Sequence, residues 1–191
     1  MPKPEDIKAP QSDALLTKLL ESRTIIISEE IDDGTAQRVI AQLLLLDATD
    51  STKDIRVFIN SGGGAADSGF AIFDMLRFVK SPVKTVAAGL CGSAAAIILL
   101  GATKEARFGL PHSRLLIHQP ATALQGSAAD IHISAQEILK LRDKANHLIA
   151  AETGQTVQKV AVDTNRDYWM DPEEARRYGL IARIIRSADE I

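Results

Sequence analysis

Three kinds of side chain in this sequence could do chemistry together: a serine set among glycines and alanines, a histidine that ends an apolar run, and a group of aspartates. Ser93 lies in GLCGSAAAIILLGA, residues 89–102, the most apolar stretch of the chain. A serine hydroxyl is a poor nucleophile unless a base stands within hydrogen-bond reach and a third group orients that base. His118 ends the run RLLIH before Gln119 and Pro120, the kind of place where an α/β sheet presents catalytic side chains. Asp163, Asp167 and Asp171 all fall in DTNRDYWMD, and spacing alone does not choose among them.

Placement gives Ser93 two readings. It falls between a strand ending near Leu90 and a helix opening at about Ala94, so it could cap that helix through its hydroxyl. The same placement puts free backbone N–H groups and a helix dipole beside it, which would stabilise an oxyanion. The hydrolase pattern G-x-S-x-G is absent. A second glycine cluster, Gly62, Gly63 and Gly64, follows VFIN and could bring backbone N–H groups close to a substrate. It is no phosphate loop, because no Gly-Lys-Ser/Thr follows and the G-x-G-x-x-G spacing fails. His112, His118, His132 and His147 include no i, i+4 pair and no H-E-x-x-H, so no metal site is expected.

These residues need a scaffold, and the pattern of the chain supplies one. DALLTKLLESR has helical spacing with Asp13 as a cap, TIIIS is a β-branched strand, and DDGTAQRVIAQLLLLDA is helical again. DIRVFIN reads as a strand, SGGGAADS as a turn, GFAIFDMLRFV as a helix, KTVAAGL as a strand, and Arg114–His118 as another. Short apolar strands alternating with amphipathic helices imply right-handed crossovers and a largely parallel sheet covered by helices, an α/β fold. From Ser127 to about Thr153 there is no glycine or proline, Ser127 and Asp130 have capping-box spacing, and Gly154 offers a left-handed stop. A helix over 127–153 would be roughly 40 Å long. Its sparse apolar residues, Ile131, Ile138, Leu141, Ala145 and Leu148, form a narrow seam, so it is expected to project and meet a partner. In the tail, Asp171 caps, Pro172 opens a helix, Gly179 stops it, and LIARII is a final strand.

Composition limits the function classes. The 191 residues suit one domain over 15–191, preceded by a polar, proline-bearing stretch, residues 1–14, that reads as a mobile arm and not as a secretory signal. A formal charge of −3 gives no basic footprint, so nucleic acid is not an expected partner. The single cysteine, Cys91, excludes an internal disulfide and suits a reducing compartment, with the cytoplasm as default. Residues 85–103 are uncharged over a length that could span a membrane, but their glycines read as a break between a buried strand and a buried helix.

Four segments, taken in order, resemble the Clp protease proteolytic subunits, the ClpP family. FINSGGG is similar to the family's I-N-S-P-G-G, GLCGSAAA to its G-x-x-x-S nucleophile segment, LLIHQP to its I-H-Q-P segment, and DTNRDYWMDPEEARRYGLI to its D-T-x-R-D…EEA…YGL segment. The resemblance covers roughly residues 15–185. It implies a crotonase-like fold with the long helix as a handle joining two heptameric rings into a tetradecamer. It also implies a serine endopeptidase acting on unfolded polypeptides inside a closed chamber, fed by an AAA+ ATPase. On this resemblance Ser93 is the nucleophile, His118 the general base and Asp167 the group that orients the imidazole. The N–H groups of Gly64 and Ala94 form the oxyanion hole, and Gly63, Gln119 and Pro120 flank the substrate strand. Arg56, Phe58 and Phe78 lie in the cleft for the ATPase, and Arg166 makes an inter-ring contact. No metal or cofactor is implied, ATP being used by the partner alone.

The sequence departs from the family in places. Gly62 replaces a proline, Ala94 and Ala95 replace Met-Gly, Asn165 stands where an acidic residue is usual, and Arg56 replaces an aromatic. LLESRTIIISEEI resembles divergent paralogs found beside a second copy. The alternative expectation is therefore a structural, poorly active subunit in a mixed complex with a paralog.

Overall fold

The computed structural model describes residues 10–191, with side chains from residue 14 onward. Residues 1–9 of the expected arm, and the side chain of Asp13, lie outside the described residues. Helix α1 (Pro10–Glu21) begins within the span read as an arm. The helices that follow are α2 (Asp33–Thr49), α3 (Ala66–Phe78), α4 (Ala94–Leu99), α5 (Ala128–Thr153), α6 (Val157–Asp163) and α7 (Pro172–Tyr178). The strands are β1 (Thr24–Ile27), β2 (Ile55–Ser61), β3 (Val83–Gly92), β4 (Arg107–Gly109), β5 (Arg114–Ile117), β6 (Tyr168–Met170) and β7 (Arg183–Ile184).

Five strands lie in the order β1-β2-β3-β4-β7, all parallel, as the alternation of strands and helices requires. The sheet forks at β3. Its first half pairs with β4 through Thr85 to Ala87, and its second half pairs with β5 through Leu90 to Gly92. Gly89 marks the fork, with a φ of 117° that a side chain rarely tolerates, and the Asn60 carboxamide accepts the neighbouring Leu90 N–H at 3.0 Å. β6 then runs antiparallel to β5, the one reversal in the sheet among the described residues.

One face of the sheet carries the main core. Alternate residues of β2 (Ile55, Val57, Ile59) are buried, and α2 meets them with Val39, Leu43 and Leu46 at three- and four-residue steps. Each such side chain contributes about 1.5–3 kcal/mol when fully buried. Val86, Phe108 and Ile185 make a smaller cluster against which Phe58 packs. The uncharged stretch 85–103 runs through most of β3 and the whole of the short α4, and among the described residues no helix is long and apolar enough to cross a membrane.

Helix α5 has two halves. Near its C-terminal end Asn146, Ile149, Ala150 and Thr153 are buried, while earlier residues are exposed or half-buried, so the first half does project. Its 26 residues span about 39 Å. The seam is shorter than expected: Leu141, Ala145 and Leu148 pack on the core, whereas Ile131 is 39% exposed. The capping box is also incomplete. Ser127 accepts the Asp130 N–H, but the Asp130 carboxylate takes the Ser127 hydroxyl and, among the described residues, not the cap's own N–H. Arg107, wholly buried on β4, ties the helix end to the sheet. It donates to the carbonyls of Ala102 at 2.9 Å and Glu152 at 3.0 Å and pairs with the Glu152 carboxylate, which Arg77 also meets at 2.7 Å.

Candidate active site

Register alone brings the three candidate segments together. Gly92 on β3 pairs with Leu116 on β5, and the next residue, Ser93, donates its N–H to the Leu116 carbonyl at 2.9 Å. Ile117 on β5 pairs with Tyr168 on β6. Because that pair is antiparallel, His118 leaves one strand beside the point where Asp167 enters the other. The site thus forms at the carboxyl ends of two parallel strands, where open α/β sheets bind ligands.

Ser93 has φ 55° and ψ −123°, in a region that favours glycine. It precedes α4, yet its hydroxyl makes no capping bond, which removes the helix-cap reading of this residue. Instead it lines a cavity of about 590 Å³ together with His118, Gly64 and Ala94. A non-glycine residue held in such a conformation beside a cavity is a candidate functional position.

The structure separates the three aspartates. Asp163 accepts the Lys159 ammonium at 2.6 Å and the Tyr178 hydroxyl at 2.9 Å. Burial, helped by that contact, pushes the Tyr178 phenol up from its ordinary value. Asp171 caps α7 in a full capping box with Glu174. Among the described residues Asp167 takes no structural bond of this kind, and its Oδ1 lies 3.9 Å from Nδ1 of His118. Its side chain is 63% exposed, and a closure of about 1 Å would complete a hydrogen bond to the imidazole.

Two glycines let the backbone approach Ser93. At Gly63, with φ 105°, a Cβ would stand 2.7 Å from the Ser93 Cβ and 3.0 Å from the Ala94 nitrogen. Gly64, with φ 151°, is flanked by backbone bonds that pin the loop to Ile31: the Ile31 N–H donates to Gly63 at 2.9 Å and the Ala65 N–H donates to Ile31 at 2.7 Å. Among the described residues the N–H groups of Gly64 and Ala94 take no protein acceptor, so both remain available to a substrate oxygen. Gly62 differs from its neighbours. Its φ is not positive, and a Cβ there would meet only Leu90 at an ordinary 3.6 Å.

Pro120 lines the cavity, but Gln119 does not. The Gln119 amide N–H groups reach the Asn165 carbonyl at 2.8 Å, and its backbone N–H donates to Thr164 at 2.6 Å. Gln119 therefore clamps the segment that carries Asp167. The sequence offered no signal for this contact. Arg56 and Phe58 alternate onto one face of β2, where Arg56 donates to the Ser22 carbonyl at 2.8 Å, while Phe78 ends α3 and is 74% exposed. None of the three lines the cavity. Arg166 is exposed and, among the described residues, makes one long contact, 3.3 Å to the Asn165 carbonyl. Cys91 is buried beneath the site, its thiol pushed up to about 12 by burial, which makes it no rival nucleophile. Among the described residues no group of three or more His, Cys, Asp or Glu side chains could hold a metal ion.

A sequence profile described as Clp protease matches residues 7–188. The ATP-dependent Clp protease proteolytic subunit 2 of Treponema denticola is 49% identical over 184 residues, covering 96% of this chain and 92% of that protein. A protein of the same name from Treponema pallidum is 48% identical over 174 residues, covering 91% and 87%. Among solved structures, the ClpP1 N165D mutant from Listeria monocytogenes is similar with a TM-score of 0.85 and 42% identity, covering 92% of this chain and 98% of that one.

Proposed function

The chain belongs to the Clp protease family, and from that premise we propose that it is the proteolytic subunit of an ATP-dependent Clp protease, a serine endopeptidase whose nucleophile is Ser93. One observation carries the assignment of the site: a strained serine with an uncapping hydroxyl shares a cavity with His118, and Asp167 alone of three aspartates stands beside that histidine.

In this reading His118 removes the Ser93 proton as the hydroxyl attacks the scissile carbonyl. Asp167 holds the imidazole in the tautomer that presents a free nitrogen to the serine and stabilises the imidazolium that forms. The N–H groups of Gly64 and Ala94 receive the developing oxyanion; with the helix dipole of a six-residue α4 behind Ala94, the backbone bonds carry most of that stabilisation. His118 then protonates the leaving amine, and water repeats the sequence on the acyl-enzyme. No metal or cofactor takes part.

The projecting half of α5 supports an assembly of two rings meeting through this helix, and the exposed Arg166 guanidinium supports a charged contact across that junction. Phe58, Phe78 and Arg56 would offer the docking cleft for an AAA+ ATPase that supplies unfolded polypeptide. The relatives' designation as subunit 2 supports a second, different proteolytic subunit in the same complex. A cytoplasmic location suits a buried, unpaired cysteine. The test is hydrolysis of a fluorogenic peptide by the assembled protein, alone and with a second subunit added. Ser93→Ala and His118→Ala should each abolish the activity of this chain. Cleavage that survives in the Ser93→Ala assembly of this chain alone would refute the assignment.

A further inference from the structure

The cavity beside Ser93 holds a charge that neither the acyl chemistry nor the packing uses. Asp67, in the first turn of α3, is exposed and forms part of the cavity wall. Among the described residues its carboxylate has no hydrogen bond and no ion pair. The second carboxylate on the wall, that of Glu137 on α5, is engaged by Lys140 at 2.7 Å. Among the described residues no lysine or arginine lines the cavity. The Lys144 ammonium stands over the Phe70 ring, 4.0 Å from its centroid, and takes no part in the wall. Most of the remaining wall is apolar, with Phe70, Ile97, Leu141 and Ile149 among its residues.

An apolar pocket with one unneutralised carboxylate at its exposed edge matches a side chain with an aliphatic stem and a cationic tip. Such side chains lay their methylenes along apolar surface and keep the charge in water. We propose that Asp67 is a specificity-determining residue: it favours lysine or arginine, and disfavours glutamate and aspartate, at the substrate position whose side chain enters this cavity. The inference rests on the reading of Ser93 as the nucleophile at this cavity. A first-turn aspartate also suits the helix dipole, but that role is indifferent to what enters the pocket. Because Asp67 is exposed, the pair has the strength of a surface ion pair, about fivefold in binding, and weakens with added salt.

Binding to the assembled Ser93→Ala protein separates recognition from cleavage. Three dansyl peptides, identical except for a C-terminal lysine, norleucine or glutamate, are titrated by fluorescence anisotropy, with and without Asp67→Asn. The substitution should weaken the lysine peptide about fivefold at low salt, leave the norleucine peptide within about twofold, and strengthen the glutamate peptide. The lysine effect should shrink in high salt. Equal shifts for all three peptides, no shift, or no binding of any of them overturns the inference. Fluorophosphonate labelling of Asp67→Asn with Ser93 intact reports the nucleophile separately, so a failed specificity and a failed peptidase reading give different results.

Discussion

Replacing Ser93 by glycine should leave the protein more stable than replacing it by alanine, although both changes remove the hydroxyl. The cause is the backbone: φ 55° and ψ −123° suit glycine, and a Cβ held there carries a strain of about 1–3 kcal/mol. Alanine keeps that Cβ and its strain. Glycine relieves it but loses more chain freedom on folding, a cost of about 0.5–1 kcal/mol. The glycine variant should therefore lead by about 1 kcal/mol, or about 2–4 °C in Tm for a chain of this size. Thermal unfolding of both variants, at one subunit concentration because assembly shifts Tm, makes the comparison. An alanine variant equal to or more stable than the glycine variant would refute the argument that Ser93 is held under strain by Gly63 and the Leu116 carbonyl.

Other outcomes follow from the same structure. Asp167→Asn should lower kcat/KM by about a hundred- to ten-thousand-fold, whereas Asp163→Asn, whose carboxylate serves Lys159 and Tyr178, should act mainly on Tm; equal losses of kcat/KM would sink the choice of Asp167. Glu152→Ala leaves the wholly buried Arg107 without its counter-charge and should cost about 3–5 kcal/mol in urea unfolding. Gly62→Ala should gain about 0.4–1 kcal/mol, since its φ is not positive and the new methyl meets only Leu90. Cys91 should resist iodoacetamide at pH 8 until the protein unfolds, because it is buried and its thiol is pushed up to about 12; rapid native labelling would contradict that burial.

Most of the elements legible in the sequence are those encoded locally. The β-branched run at Thr24–Ile27, the cap–proline–glycine punctuation of α7 and the glycine-free α5 all form where their patterns place them. What it did not display depends on distant partners. Strand β4 is three residues long and exists because β3 and β7 flank it; β6 is equally short and hangs on β5. Of LIARII, only Arg183 and Ile184 pair as a strand. Arg23, which reads as an ordinary loop residue, adopts φ 54° and gives its guanidinium to the carbonyls of Asp54, Leu46 and Lys53 and to the Ser81 hydroxyl. None of those acceptors is near it in sequence. The site shows the same division. Ser93 and His118 could be suspected from strand ends, but the choice among three aspartates needed either a family resemblance or the register of Ile117 against Tyr168. The clamp from Gln119 to Asn165 and the free carboxylate of Asp67 had no local pattern at all.

The proposed chemistry stands or falls on Ser93 being a nucleophile activated by His118. Treatment of the assembled protein with a fluorophosphonate, followed by peptide mass spectrometry to locate the adduct, reads this out. One adduct per chain should form on Ser93, absent from Ser93→Ala and strongly slowed in His118→Ala. If Ser93 stays unmodified in the assembled protein, even with a second subunit and an ATPase present, it is not the nucleophile.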